Sequence, residues 1–411
     1  LMLSSVNDQA VGAVGTANTY IGIFIIMFSV ISSGMVAVMT QNIGAGRPGV
    51  AYQARQLGLA FNAVLGIILS LILAFGAGTI LAGVGVAHAL MQPARTYLQI
   101  VGGFCILNAL IPICSSYLRA FGFSKEPLYA SIIGNVINFC LNAFFLFVLH
   151  KGVAGVATAT VISRIINLVI VVLLGAVLVK AKQHPERESN RAVMGQIIRI
   201  GLPSACETAI YNVSMTLVIR FLNQMDAQGL NVTARSYTMQ ITNFSYCVGA
   251  ALAQANAIMT GWHIGAKEYD ACDRGTKKAA VIGVIVAVIL ETVFTLCSGW
   301  IMQLFSKDPQ MVSLVGKLLA IDIVLEIGRV TNLVYGQALK TSGDAVFPVV
   351  MGACFMILCS VGGTYLFGIR LGLLAVGAYI GMTGDECVRA VGMYLRWKSG
   401  KWKEKGLVKS R

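Results

Sequence analysis

Charge is scarce in this chain. Only 12% of its 411 residues are Asp, Glu, Lys or Arg, against about 25% in an ordinary soluble domain. Over this length the deficit argues against a large soluble core and for an integral membrane protein. Catalytic and nucleotide signatures are missing too. No GxxxxGK[ST] occurs, which excludes ATP binding in the P-loop manner, and the absence of HExxH and GxSxG weakens protease or hydrolase readings. The four histidines have no metal-ligand spacing, and the ten cysteines form no CxxC and fall almost all in apolar stretches, where they read as small packing residues. The chain does not open on a cleavable signal peptide. "GAGRPG" at Gly44 fits GxGxxG, but it follows an apolar helix rather than a strand, so it reads as a tight turn.

What is present is apolar sequence. Hydrophobic residues make up 57% of the chain, and a membrane span needs roughly 20 predominantly apolar residues. Eleven such stretches stand out: 18–42, 54–84, 94–118, 126–149, 152–179, 200–224, 233–258, 275–304, 311–338, 345–369 and 371–395. The 44 glycines suit close helix packing in lipid. The net charge of +14 fits basic cytoplasmic loops and gives no reason to invoke nucleic acid.

The polar stretch "KAKQHPERESNR" divides the chain. This suggests an N-terminal lobe at 1–180, a cytoplasmic linker at 181–193, a C-terminal lobe at 194–398 and a basic tail at 399–411. The lobes resemble each other at an offset of 220 or 221: "MTQNIGAGRPG" at Met39 with "MTGWHIGAKEY" at Met259, "LRAFGFSKEP" at Leu118 with "LKTSGDAVFP" at Leu339, and "GVAGVA" at Gly152 with "GLLAVG" at Gly372. Three matches in order indicate a duplication. Helix 200–224 then lacks most of its first-half partner, an expected truncation of roughly 20–25 residues, about one span. The parent fold is expected to be an all-α membrane protein of twelve helices in two six-helix lobes, related by a pseudo-twofold along the membrane normal, with about eleven complete helices here. Counting 18–42 as the second helix, the loops after even-numbered helices collect the basic residues, Lys340 among them. The opposite loops hold Arg95, Lys151, Lys307 and Arg370. The asymmetry predicts a multi-pass protein of the cell (inner or plasma) membrane with both termini cytoplasmic.

Charges inside the apolar stretches are the candidate site, because each costs about 2.5–3.5 kcal/mol at the bilayer centre and such residues face cavities or partners. Asp322, Glu326 and Arg329 are spaced i, i+4, i+7 on one helix face, with Asn332 just beyond. One arginine cannot neutralise two acids, so a net negative site is expected, with a packed structural triad as the bland alternative. Glu326 and Arg329 should face the seventh and eighth helices rather than lipid. Glu207, one turn after Pro203, has no basic residue within a turn and reads as an unpaired carboxylate that binds a cation or is protonated. Asp385, Glu386 and Arg389 can pair within their own helix. Glu291 stays undecided. Asn138 and Asn142, with Asn135, form a polar stripe that is either a secondary cavity face or interhelical bonding. "NVT" at Asn231 is a formal glycosylation sequon of little weight.

"QNIGAGR", "LRAFGFSKEP", "NVINFCLNAFFLF" and "GVAGVATAT" in the first half, with "GLPSACE", "EIGRVTN", "LKTSGDAVFP" and "RWKSGKW" in the second, resemble the MATE (multidrug and toxic compound extrusion) family across the whole chain. The resemblance implies a non-enzymatic antiporter, without cofactor beyond a Na+ or H+ coupling ion, that exports small organic cations and drugs by rocking of two lobes. It implies cation roles for Glu207 and for Glu326 or Asp322, including a possible Na+ at Glu207/Glu326. Three points depart from the family pattern: Glu207 stands nearer Pro203, the tenth-helix acid of the family is usually an aspartate, and Arg329 is not a general family feature. The expected partners are substrate and lipid, with no nucleic acid and a monomeric chain. The rival readings are a flippase for a lipid-linked saccharide, which calls for a strongly basic central cavity, and a membrane enzyme, which calls for a nucleophile or metal constellation.

Overall fold

The apolar stretches fold as helices that run past their hydrophobic cores. The computed structural model describes residues 8–83, 88–180, 185–226, 229–303 and 305–408, and these hold no β-strand. The helices are α1 (Asp8–Gly44), α2 (Pro48–Gly83), α3 (His88–Tyr97), α4 (Ile106–Ala120), α5 (Lys125–Ala143), α6 (Gly152–Leu178), α7 (Asn190–Met225), α8 (Leu230–Gly265), α9 (Tyr269–Leu296), α10 (Ser298–Met302), α11 (Pro309–Ser342), α12 (Val346–Phe355) and α13 (Leu374–Lys398). At 36 residues, α7 and α8 are each about 54 Å long at 1.5 Å per residue, well beyond the roughly 30 Å hydrocarbon core.

Helix ends follow local chemistry. Pro309 opens α11 and the Asp308 carboxylate accepts from the Gln310 N–H at 3.0 Å, an N-cap that removes one orphan donor. At the other end Gly343 takes φ +99°, and its N–H donates back into the last turn. Wider π turns continue several helices: Leu98–Gly102 after α3, Phe144–Val148 after α5, and Met356–Val361 and Thr364–Arg370 after α12. Leu90–Gly102 and Ile106–Ala120 are together apolar and long enough for one span and meet at a bend of 43°.

Among the described residues six helices are apolar and long enough to cross a membrane, seven if that bent pair counts as one. α7, α8, α11 and α13 are long enough but do not qualify, and with α9, which carries Glu291, they hold the intramembrane charges of the second unit. Elsewhere large apolar side chains face outward, as Phe75 (83% exposed), Leu296 (80%) and Val177 (72%) do. That is the expected surface of a lipid-facing helix.

The chain divides into two compact units: Leu1–Ile43 with Arg47–Gly201, and Gly44–Gly46 with Leu202–Arg411. The linker is shorter than the sequence suggested. α7 begins at Asn190, so the division falls inside a continuous helix rather than at 181–193. The first unit's core gathers Phe28, Leu73, Leu81, Leu98 and Ala109. The second has one core around Val218, Leu318, Leu319 and Leu325 and another around Tyr335, Trp397 and Trp402.

The duplication is written in backbone geometry. Positive φ recurs at Gly46 and Lys267, Gly122 and Gly343, His150 and Gly372, and Gly152 and Leu374. The register is therefore 221 to 222, and Gly152 pairs with Leu374 rather than Gly372. Gly/Ala/Val-rich text matches itself at several offsets, which is why the letters alone misplaced it. The first partner of α7 would fall on residues before 8, outside those described.

Each unit is also tied down by the segment after its last helix. In the first, Gln53 Nε2 donates to the Glu188 carbonyl (2.7 Å) and to Asn190 (2.6 Å), the Glu188 N–H donates back to Gln53 (3.0 Å), and Arg47 pairs with the Glu188 carboxylate at 2.7 Å. In the second, the basic tail is folded rather than free. Trp402 stacks on Trp397 at 4.1 Å and donates to its carbonyl, and Trp397 donates to Asp273. Arg396 pairs with buried Asp344 at 2.7 Å. Asn231 is also no sugar acceptor: it is 2% exposed, its side chain donates to Asp226, and its carbonyl oxygen accepts from the Ala375 N–H.

Candidate functional site

α11 is the spine of the second unit, packing along α8, α9 and α13. Gly328 permits the closest approach: a Cβ there would lie 2.8 Å from the Cys387 nitrogen and 2.9 Å from the Glu386 carbonyl carbon. Gly249 on α8 and Gly283 on α9 do the same around Val330. These contacts bring charged side chains from four helices together.

The i, i+4, i+7 face is real, and its arginine serves more carboxylates than the two on its own helix. Arg329 Nη1 pairs with Glu326, and Arg329 Nε lies 3.6 Å from Glu386 on α13. Arg329 also sits 5.9 Å from the Tyr246 ring centroid on α8. Asp322 is 2% exposed and Glu326 0%, and one oxygen of each, Asp322 Oδ2 and Glu326 Oε2, has no hydrogen-bond partner among the described residues. Glu326 is fully buried and Arg329 half-buried against the cavity, and the surroundings of the pair include α9 and α13 as well as α7 and α8. Asn332 Nδ2 donates to Glu386 Oε2 at 3.0 Å.

The α13 group does pair within its helix: Arg389 meets Asp385 at 2.8 Å and Glu386 at 3.0 Å. It is also joined to its neighbours. The Ser360 hydroxyl donates to Asp385 at 3.0 Å from the π turn after α12, and Glu386 joins Arg389 to Arg329.

Glu207 corrects the reading of an unpaired acid. Lys340 Nζ lies 2.5 Å from Glu207 Oε2, with each side chain 15% exposed. Sequence distance hid this partner, and Lys340 had been assigned to a cytoplasmic loop although it lies in the last turn of α11. Arg389 is the next cation within Coulombic reach of Glu207. Glu291, left undecided from sequence, is 0% exposed on α9. It makes no ion pair among the described residues; the Ser245 hydroxyl lies beside it, and Asp322, Glu326 and Arg329 are within Coulombic reach. Arg235 was missed altogether, because it sits near the beginning of an otherwise ordinary apolar stretch. It is 7% exposed on α8.

Six carboxylates (Glu207, Glu291, Asp322, Glu326, Asp385, Glu386) therefore share one unit with four buried or half-buried cations (Lys340, Arg389, Arg329, Arg235). Fully ionised, the set carries two uncompensated negative charges. Asn138 and Asn142 belong to the first unit. There Asn138 donates to Ser163 on α6 at 3.3 Å and Asn142 donates to Asn138 at 2.9 Å, which is the helix-to-helix bonding that was their alternative.

Two cavities open along the charged column. One, of about 210 Å³, is lined by Arg235, Asp322, Arg329, Asp385 and Glu386, with Tyr211, Tyr246 and Tyr379 and several methionines as walls. The other, of about 250 Å³, runs past Glu207, Lys340, Asn332 and Arg389. Neither alone reaches the roughly 300–1,000 Å³ of a drug-sized site. They share Tyr211, Tyr246, Arg329 and Glu386, which stand between them.

The MatE family model matches residues 1–144 and 203–366. An uncharacterized transporter of Bacillus subtilis, YisQ, is 33% identical over 99% of this chain and 90% of its own length. A probable multidrug resistance protein, NorM, of Thermotoga maritima is 21% identical over 97% of this chain and 87% of its own. Among solved structures, the crystal structure of MATE in the bent conformation superposes with a TM-score of 0.89 at 17% identity, over 98% of this chain and 90% of that one. At that identity the likeness concerns the fold.

Proposed function

The chain belongs to the MatE family of membrane transporters, and from that premise we propose that it is a secondary antiporter that exports small organic cations or drugs in exchange for a proton or a sodium ion. Relatives named for multidrug resistance and for multidrug and toxin extrusion support the substrate class. The observation that carries the reading is the surplus of buried carboxylate beside an aromatic and methionine-walled cavity. Two negative charges left over in a membrane interior must be met by protons, a metal cation or a cationic substrate. Competition among these for the same carboxylates is the physical basis of exchange, and alternating access would come from rocking of one lobe against the other. Both termini would lie in the cytoplasm, and one chain supplies the whole cluster, so a monomer suffices.

The arrangement favours the proton as coupling ion. Glu207 and Glu326 each have their own cationic partner. Glu291 is fully buried and in no ion pair among the described residues, with the Ser245 hydroxyl beside it and Arg329 as the cation within Coulombic reach, so it is the carboxylate assigned to the proton. Proteoliposomes loaded with a fluorescent organic cation test this under an imposed proton gradient or an imposed sodium gradient. Proton-driven export that falls at least tenfold in Glu291→Gln is the expected result. Export driven by sodium alone would instead place the coupling ion at Glu207, Asp322 or Glu326. Movement of the dye under neither gradient would remove the antiporter reading.

A further inference from the structure

Arg235 is the one buried cation of the column without a carboxylate in ion-pair contact among the described residues. Lys340 has Glu207, Arg389 has Asp385 and Glu386, and Arg329 has Glu326 and Glu386. Arg235 Nη2 meets the Met215 sulfur at 3.7 Å, and Nε has no hydrogen-bond partner. The side chain is more than nine-tenths buried and lines the cavity that also holds Asp322 and Glu386. A guanidinium presents a planar fork of donors matched to a carboxylate or similar oxyanion. Leaving one desolvated and unpaired is costly, and a ligand that supplies the missing anion recovers that cost on binding.

We infer that Arg235 is an anion-binding subsite and that the cavity selects amphoteric aromatic substrates. The oxyanion of such a molecule pairs with Arg235, its amine faces the carboxylates Asp322 and Glu386, and its ring packs among Tyr211, Tyr246 and Tyr379. The methionines Met215, Met239 and Met382 let the wall adapt to different ring shapes. The inference rests on the export reading above and refines its substrate class from plain cations to molecules carrying both signs of charge.

Rhodamine B and its ethyl ester test the proposal. The acid is a zwitterion and the ester a cation, and they differ only at the carboxylate. Binding of each dye to purified protein is read by fluorescence anisotropy, and export is read in proteoliposomes. Wild type is expected to bind the acid at least tenfold more tightly than the ester. Arg235→Gln should erase that preference while leaving ester affinity within about twofold, and Arg235→Lys should restore part of it. Equal affinity of wild type for the two dyes overturns the subsite but leaves the export reading standing, provided that the ester is exported. Equal loss of both dyes in Arg235→Gln, with Arg235→Lys behaving the same way, assigns Arg235 a packing role and also overturns the subsite. Failure of wild type to bind or move either dye overturns the substrate class and the export reading together.

Discussion

Glu207 and Lys340 show what a single carboxylate means once its partner is known. Glu207→Gln does more than delete a coupling charge, because it strands Lys340 in a setting where each side chain is only 15% exposed. Breaking a buried pair from one side costs about 3–5 kcal/mol, whereas removing both partners can be nearly neutral. Glu207→Gln and Lys340→Met should therefore each lower the unfolding temperature in detergent, and the double variant should recover most of the loss. Export separates the roles: if Glu207 handles substrate or ion, the recovered double variant stays inactive. The same logic applies to Glu326 and Arg329, with a twist supplied by α13. Arg329→Met orphans Glu326 and weakens Glu386 at once, so it should destabilise more than Glu326→Gln, and the double variant should be less unstable than the two losses added. A coupling of about 0.5–3 kcal/mol is the usual range for contacting residues, and strict additivity would sink the paired-site argument. These cases also mark how far the sequence could be read. The periodicity of 322, 326 and 329 put three members of the site on one face without help. Lys340, Glu386 and Arg235 join that site only through contacts between helices, for which one sequence carries no signal.

Whole helices decide whether those side chains meet. The segments too polar to pass as simple spans, α7, α8, α11 and α13, supply most of the charged column, while α2, α5 and α6 turn apolar side chains outward and α9 does both, with Glu291 buried on its inner side. Low hydropathy in an otherwise apolar chain was thus a site signal, legible as scattered charges but not as an arrangement. Gly328 is the hinge of this packing, since the α13 backbone at Glu386 and Cys387 occupies the space a Cβ would need. Backbone on both sides leaves no flexible side chain to yield. Gly328→Ala should push α11 from α13, lengthen the Arg329–Glu386 contact and cost roughly 1–3 kcal/mol, the usual range for overpacking. Thermal unfolding and dye binding measured together check this. Unchanged stability and unchanged affinity would show that the two helices are less closely packed than described.

Across the molecule, the two units repeat a backbone rather than a surface. Four pairs of positive-φ positions survive although only one pair keeps glycine on both sides, so turn geometry has outlasted the residue type that eases it. Lys267 and Leu374 now hold conformations that favour glycine. The chemistry has meanwhile become one-sided, with the six carboxylates all in the second unit. Each unit is finished by the segment that follows its last helix: residues 185–190 on Gln53 and Arg47 in the first, residues 400–408 on Trp397 and Asp344 in the second. The tail was legible from sequence only as a run of positive charge. Its anchor is Trp402, 1% exposed against Trp397 and Tyr269. Truncating a buried tryptophan costs about 3–5 kcal/mol, so Trp402→Ala should loosen the second unit at its basic end. Hydrogen exchange should show protection lost around residues 269–280 and 335–345, where the tail packs, with the 185–190 clamp unaffected. Loss spread evenly over both units would mean that the tail stabilises the chain as one cooperative body. No loss at all would mean that the Trp397–Trp402 stack contributes nothing to holding α9 and α11 in place.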